Sequence, residues 1–335
     1  MSIVRQSLGR AALLLPLACA FLRLSSNALA ADPPATAPAQ VRPFQPGIAI
    51  DWRAPAVLVD CRIVLREGPL EFFACFPGKE HESILRMEAR AEHIALALGL
   101  IGVEAAPARA ANEPDDATLS PASAPASQPV IASSLVDIEV VLADPPSAPT
   151  AATPSTTDIA SRPTSAPVEA WTWLRELATA RPPIPRAWLF TGSRSDGRGG
   201  LAADRSGAGL ALVDISESLI GLTRSHTSSD AGLWAACNTS AIPADDAKVT
   251  LILRPAKPRT RRYTVDWRGS PRVDDRLVSL ADFADLIRID RTLRPEAAVT
   301  ILVDPQTLIA DERTLIASLE RMGVPSAEYQ LIRPR

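Results

Sequence analysis

The alternation of apolar and polar residues divides the chain into patterned blocks separated by stretches rich in Pro, Ala and Ser. Within 130–142, Val136, Ile138, Val140 and Leu142 fall on one alternating face, which predicts a β-strand. The flanking stretches 104–129 and 144–167 contain little to bury, so we expect them to be flexible or extended. Two such stretches around one strand indicate insertions within a single domain.

The first patterned block is predicted to begin with a β-hairpin. Residues 56–65 are rich in β-forming side chains, 66–69 have the composition of a turn, and 70–76 form the return strand. Centring the turn on Gly68 places Cys61 opposite Cys75. Residues 84–98 fit either one amphipathic helix, or a strand to Met87 followed by a helix that ends at Gly99.

The last block predicts the order strand, helix, strand, helix, strand. Ser279 is expected to cap the first helix and Asp311 the second, with Gly323 ending the second helix. A short buried strand is predicted at 299–303, and another at 329–332. Together the blocks predict a mixed α/β (α+β) fold.

Composition limits the classes of partner. A length of 335 residues suggests two domains. The formal net charge of −3 and the pI near 5.8 provide no basic footprint for nucleic acid, so no nucleic-acid partner is expected.

The N-terminal residues 1–30 are predicted to be a secretory signal peptide. Arg5 and Arg10 precede an apolar run at 11–22, and residues 28–30 form a small-x-small cleavage pattern. Residues 31–46 then read as a Pro/Ala linker, and no later stretch approaches the ~18 apolar residues of a transmembrane segment. The predicted location is periplasmic or secreted; an uncleaved anchor and lipidation at Cys19 are the alternatives.

Residues 47–255 carry motifs that resemble the YdjY-like domain of bacterial exported proteins. The motifs lie in a hairpin region and in a segment that includes His81, and weaker similarity follows at 93–99, 173–174, 188–193, 218–220 and 233–251. The specific runs are 57–60 (VLVD), 66–71 (REGPLE), 74–75 (AC), 77–78 (PG) and 80–83 (EHES). The resemblance implies one domain interrupted by the insertions at 104–129 and 144–167, and it implies no particular reaction.

Residues 263–335 resemble the periplasmic domain of ExbD/TolR proteins. The strand at 299–304 (VTILVD) and the helix end at 319–324 carry the resemblance. Members of that family have a membrane helix with a proton-relay aspartate, and none precedes Thr264 here, so the resemblance implies partner or cell-wall binding rather than proton-coupled work. The basic residues 256–262 are expected to be a solvated linker.

Two cysteine hypotheses compete because both use Cys75. Cys61 and Cys75 face each other in the predicted hairpin and are candidates for a disulfide bond. Alternatively, Cys75, His81 and His93, with Glu80 or Glu82, supply the thiolate, imidazole and carboxylate ligands that bind zinc or copper. Buried free thiols and a surface histidine are the structural alternatives.

Other combinations of reactive residues carry less. Ser225, His226, Ser228, Ser229 and Asp230 have the residue types of a hydrolase, but adjacent positions seldom converge on one reacting atom. Glu80 and Glu82 are candidates for acid–base chemistry. The sequence therefore predicts either a non-catalytic binding or scaffolding protein, with an envelope protein or cell-wall component as partner, or a metal- or redox-binding protein. Whether it is an enzyme stays open.

Overall fold

The strands of the larger part of the chain lie between residues 41 and 255. A computed structural model describes residues 40–107, 130–143 and 166–334, except 225, 227, 228, 230 and 231. The predicted signal peptide and most of both predicted insertions lie outside the described residues. In this part the strands are β1 Val41–Gln45, β2 Ile48–Asp51, β3 Ala56–Ile63, β4 Phe72–Cys75, β5 Ser83–Met87, β6 Leu135–Leu142, β7 Val168–Glu169, β8 Leu174–Glu176, β9 Trp188–Phe190, β10 Leu210–Ala211, β11 Ile220–Gly221, β12 Ala235–Cys237 and β13 Lys248–Pro255. The helices are α1 Ala91–Leu100 and α2 Ala202–Ser206.

Eight of these strands form a sheet that closes on itself. The order is β3, β13, β6, β9, β11, β10, β4, β5, and β5 pairs again with β3. The closed sheet surrounds the main apolar core, in which Trp171 stacks on Trp188 with ring centroids 4.7 Å apart. Because β3, β6 and β13 are neighbours, residues on both sides of each predicted insertion share one sheet. The predicted strand over 136–142 is confirmed by β6.

The predicted hairpin is wrong in its pairing. Strands β3 and β4 exist, but β5 lies between them, antiparallel to β3 and parallel to β4. Strand β5 takes this place because four of its five residues are buried and need the core. The residues of the predicted turn leave the sheet instead, since Pro69 bridges Ala236 and the Leu70 amide donates to the Ala235 carbonyl.

Two local predictions near this sheet are resolved by the structure. Of the two interpretations of 84–98, the strand followed by a helix is confirmed by β5 and α1, although α1 continues to Leu100 instead of ending at Gly99. The linker predicted at 31–46 ends earlier than expected, since β1 is a strand that pairs with β2 across a turn at Gly47. Gly47 has a φ of +70°, the left-handed conformation that glycine adopts without strain.

The C-terminal module, residues 263–334, confirms the predicted order of strands and helices. It contains β14 Tyr263–Val265, β15 Pro271–Val273, β16 Arg276–Leu277, α3 Leu280–Leu293, β17 Val299–Val303, α4 Ile309–Arg321 and β18 Tyr329–Ile332. Its sheet has the order β16, β15, β14, β17, β18, with β17 parallel to both neighbours. The hairpin of β15 and β16 is an addition to the predicted pattern.

Helix ends in the C-terminal module follow local chemistry. Ser279 caps α3 as predicted, because its Oγ accepts a hydrogen bond from the Asp282 amide at 3.1 Å. The prediction that Asp311 caps the second helix is wrong, because α4 begins at Ile309 and Leu308 is at the N-cap position. Asp311 lies instead in the first turn, where its carboxylate interacts favourably with the positive end of the helix dipole. Gly323 follows α4 with a φ of +78°, as a helix stop requires.

The basic stretch 256–262 is not a solvated linker. Arg259 forms ion pairs with Asp137 at 3.1 Å and with Glu169 at 2.6 Å. Arg261 pairs with the buried Asp290 of α3 and donates to the Pro185 carbonyl at 2.6 Å. These contacts fix the stretch against both parts of the chain, which the composition of the stretch alone does not reveal.

The C-terminal module packs directly on the larger part of the chain. Arg186, with a side chain only 6% exposed, places Nη1 3.0 Å from Asp282 and 3.5 Å from Asp285, both on α3. Thr223 donates to Asp285 at 2.8 Å. Ile184 enters the apolar core of the C-terminal module. The described residues thus belong to one compact unit rather than to two separately tethered domains.

Candidate functional site

The residues of the predicted metal site lie in different environments. Cys75 is fully buried in β4, whereas His81 lies on a 3-10 turn with its side chain 71% exposed. His93 is half-buried on α1. Within the described ranges, no group of three or more His, Cys, Asp and Glu side chains is arranged to hold a metal ion. The structure does not bring Cys75, His81 and His93 together.

Burial makes the cysteines unreactive at neutral pH. The pKa of Cys75 is raised to about 11, chiefly by burial, with a smaller opposing contribution from a hydrogen bond with Ser83. Burial also raises the pKa of Cys61 well above its ordinary value. Both are therefore neutral thiols at neutral pH, whereas thiolates are the metal ligands and nucleophiles.

The proposed disulfide is not formed. Cys61 is paired in register with Met87 of β5, and Cys75 with Arg86 of the same strand, so β5 separates the two cysteines. Two strand spacings amount to roughly 9.6 Å, whereas a disulfide needs Cα atoms about 4.4 to 6.8 Å apart. Both cysteines are free and buried, as is Cys237.

A groove next to the 3-10 turn gathers the acidic side chains of this region. We call it the acidic groove; its volume is about 280 Å³. It is lined by Leu65, Glu67, Gly68, Pro69, Glu71, His81, Glu82 and Leu233. The lining thus combines three carboxyl groups and an imidazole with apolar side chains.

The parallel pairing of β4 and β5 brings two of these carboxyl groups together. Glu71 immediately precedes β4, and Glu82 immediately precedes β5. Because the strands are parallel and Phe72 is in register with Ser83, the residues before them are neighbours, and the Glu71 amide donates to the Glu82 carbonyl at 3.2 Å. The two side chains are therefore held at the same edge of the closed sheet.

The two carboxyl groups share a hydrogen bond, which requires one of them to carry a proton. Burial raises the pKa of Glu82, but the hydrogen bond from Glu71 and the charge of Lys79 outweigh it, so this pKa lies below its ordinary value. Lys79 Nζ is 3.3 Å from one Glu82 oxygen, and His81 Nε2 is 2.7 Å from the other. Glu82 is therefore the more readily ionised partner of the pair.

Glu80 and Glu67 differ from this pair. Glu80 accepts a hydrogen bond from the Gly78 amide at 2.9 Å and lies 3.9 Å from Arg86, so it supports its own turn and does not form an acid–base pair with Glu82. Glu67 is exposed and has no hydrogen-bond or ion-pair partner among the described residues. Glu67 and Glu71 lie in a sequence motif that indicates no chemistry for them, because the parallel pairing that joins Glu71 to Glu82 is a long-range feature.

His226, the histidine of the serine-rich segment, packs against an aromatic side chain. Its imidazole stacks on the Trp234 ring, with centroids 4.9 Å apart and planes inclined by 25°. The pKa of His226 is lowered to about 3, first by burial and then by the nearby Arg224 and Arg186. Ser225, Ser228 and Asp230 lie outside the described residues. His226 is therefore a neutral packing residue at neutral pH.

Comparison with known proteins yields no matching family model, no matching curated protein and no matching solved structure. The resemblances to YdjY-like and ExbD/TolR domains therefore stay predictions from the sequence. Among the helices of the described residues, none has the length and apolar character needed to cross a membrane.

Proposed function

We propose that this chain is an exported, non-catalytic binding protein of the bacterial envelope, and that the acidic groove is its ligand site. The observation that carries the proposal is the convergence of Glu71, Glu82 and His81 in one open groove. Export rests on the signal-peptide pattern at 1–30, which predicts a location outside the cytoplasm. The metal- or redox-binding alternative receives no support from the positions of Cys75, His81 and His93.

The groove chemistry suits a small organic cation with a short alkyl portion. Glu67 offers an exposed carboxylate, and the lowered pKa of Glu82 favours its ionised form. Leu65 and Leu233 line the same groove and can cover the alkyl carbons of a ligand. An ammonium group that replaces the shared proton would leave both Glu71 and Glu82 ionised, so binding should release a proton.

Calorimetric titration with 1,4-diaminobutane tests this proposal. We expect the full-length protein to bind the diamine, with a proton released into the buffer, and a comparison of buffers with different ionisation enthalpies measures that release. Glu67→Gln and Glu82→Gln should each weaken binding roughly ten-fold or more, because a hydrogen bond to a charged group contributes about 1.5–3 kcal/mol. Titration with Nα-acetyl-lysine amide separates a free diamine from the amine of a peptide or cell-wall component.

Asp275→Asn is the matched control. Asp275 is an exposed carboxylate of the C-terminal module whose ion pair with Arg262 is also exposed, so its loss should leave diamine binding unchanged. Equal binding by the wild type and both glutamate variants would contradict the groove as the site. Absence of binding to either amine would contradict an organic cation as the ligand.

A further inference from the structure

The acidic groove is connected through hydrogen bonds to Trp234, the residue after Leu233 of its wall. Trp234 Nε1 donates to the Leu212 carbonyl at 2.8 Å. The Leu212 amide in turn donates to the Glu71 carbonyl at 2.7 Å. The position of the Glu71 backbone therefore depends on a chain of two hydrogen bonds that begins at the indole of Trp234.

Trp234 is also linked, through His226, to charged residues that contact the C-terminal module. His226 stacks on Trp234, and the charges of Arg224, Arg186 and Asp282 act on its imidazole. Arg224 Nη1 lies 2.8 Å from Asp282 Oδ1, the same oxygen that Arg186 contacts at 3.0 Å. The stacked imidazole of His226 thus lies within reach of the charges of an ion-pair cluster that includes Asp282.

Asp282 is held in place within the C-terminal module by hydrogen bonds and by the packing of its helix. Ser279 Oγ donates to Asp282 Oδ2 at 2.6 Å, while the Asp282 amide donates back to Ser279 Oγ. The helix that carries both residues is anchored in the module core by Phe283 and Ile287, which are fully buried. Movement of Asp282 would disrupt the cap and the core packing of α3.

We infer that Trp234 and Asp282 are positioning residues through which the C-terminal module braces the acidic groove. As a ligand-binding device this brace rests on the proposed function, since it holds Glu71 and the groove wall in place before a ligand arrives. Preorganisation of this kind raises affinity because less ordering remains for the ligand to impose. Neither residue is expected to touch the ligand.

Amide hydrogen exchange in the full-length chain tests the brace without any ligand. Trp234→Phe keeps the ring and removes the indole donor, and Asp282→Asn removes the charge that holds Arg224. Each should speed exchange of the Leu212 and Leu70 amides about five- to ten-fold, while Val59 in β3 exchanges as in the wild type. The control Asp275→Asn should change none of the three. Affinity for 1,4-diaminobutane should fall by a similar factor in the two brace variants.

The outcomes separate this inference from the proposed function. Unchanged exchange at Leu212 in both variants would overturn the brace. Equal acceleration at Val59 would also overturn it, because it would indicate general destabilisation of the fold. Faster local exchange in a protein that binds neither amine would instead overturn the proposed ligand site and leave the mechanical link in place. If Asp282→Asn fails to fold, Trp234→Phe still tests the brace, because it introduces no buried uncompensated charge.

Discussion

The surroundings of Gly209 leave no room for a side chain larger than a hydrogen atom. A Cβ at this position would lie 2.4 Å from the Ala74 carbonyl oxygen and 2.5 Å from Met87 Cε. The first contact is with strand backbone, which cannot move without disturbing the closed sheet. We therefore expect Gly209→Ala to lower the free energy of unfolding by about 2 kcal/mol, within the range typical of overpacked cores. Urea denaturation followed by tryptophan fluorescence measures this change.

Gly99→Ala is the matched control. Gly99 lies within α1, and a Cβ there would meet no atom within 4 Å. Because alanine is the better helix former, this variant should be stabilised by up to about 1 kcal/mol. Equal stability of the two variants would show that the close approach of Gly209 to β4 is absent in solution.

Residue-level chemistry was predictable from the sequence only where it is local. The Ser279 cap depends on residues within one helical turn, so its pattern is visible in the sequence. The contact between Glu71 and Glu82 depends on which strand lies beside β4, and nothing near Glu71 specifies that neighbour. The same limitation produced the wrong Cys61–Cys75 pairing.

Helix α1 has its N-terminus capped by another helix. Asp204 of α2 accepts hydrogen bonds from the Ala91 amide at 2.7 Å and from the Glu92 amide at 3.2 Å. Arg90, the residue at the N-cap position, provides no side-chain cap. Asp204→Ala should therefore lower the free energy of unfolding by about 1 kcal/mol, as expected for the loss of an N-cap. Equilibrium denaturation in urea measures the difference.

Asp204→Asn distinguishes the hydrogen bonds from the charge. The amide side chain keeps one acceptor oxygen, so this variant should lose less stability than Asp204→Ala. If Asp204→Ala matches the wild type, the cap between the two helices contributes nothing to folding.

The elements themselves were more predictable than their arrangement. Alternation of buried and exposed positions identified β6, and the short apolar run identified β17, since each pattern is contained within its own strand. The sheet closes through β5, which pairs in parallel with β4. The predicted hairpin paired β4 directly with β3 and therefore left no place for β5. Helix α4 was placed correctly, although its first residue was not.

The packing of the C-terminal module on the closed sheet makes the described chain one unit. The sequence suggested two modules on tethers, because Pro-rich composition and a run of basic residues are typical of linkers. Paired with Asp137 and Asp290, however, Arg259 and Arg261 become part of an interface. Charge partners so far apart in sequence cannot be recognised from composition.

Breaking this interface should affect the whole molecule at once. Arg186→Ala leaves the buried Asp285 without its arginine from the larger part of the chain, and removal of one partner of a buried ion pair costs about 3–5 kcal/mol. We expect a loss near the lower bound, because Thr223 and Arg288 still contact Asp285. Denaturation is followed by tryptophan fluorescence, which reports chiefly on the larger part of the chain, where five of the six tryptophans lie, and by the amide signal of Ile287 in α3.

In the wild type these two probes should give coincident transitions, as a single cooperative unit requires. Arg262→Ala is the control: its ion pair with Asp275 is exposed on both sides, so stability should change by no more than about 0.5 kcal/mol. Separate transitions in the wild type would restore the arrangement of two independent domains. A loss confined to the Ile287 signal in Arg186→Ala would show instead that the closed sheet folds without the C-terminal module, and that Arg186 stabilises only their contact.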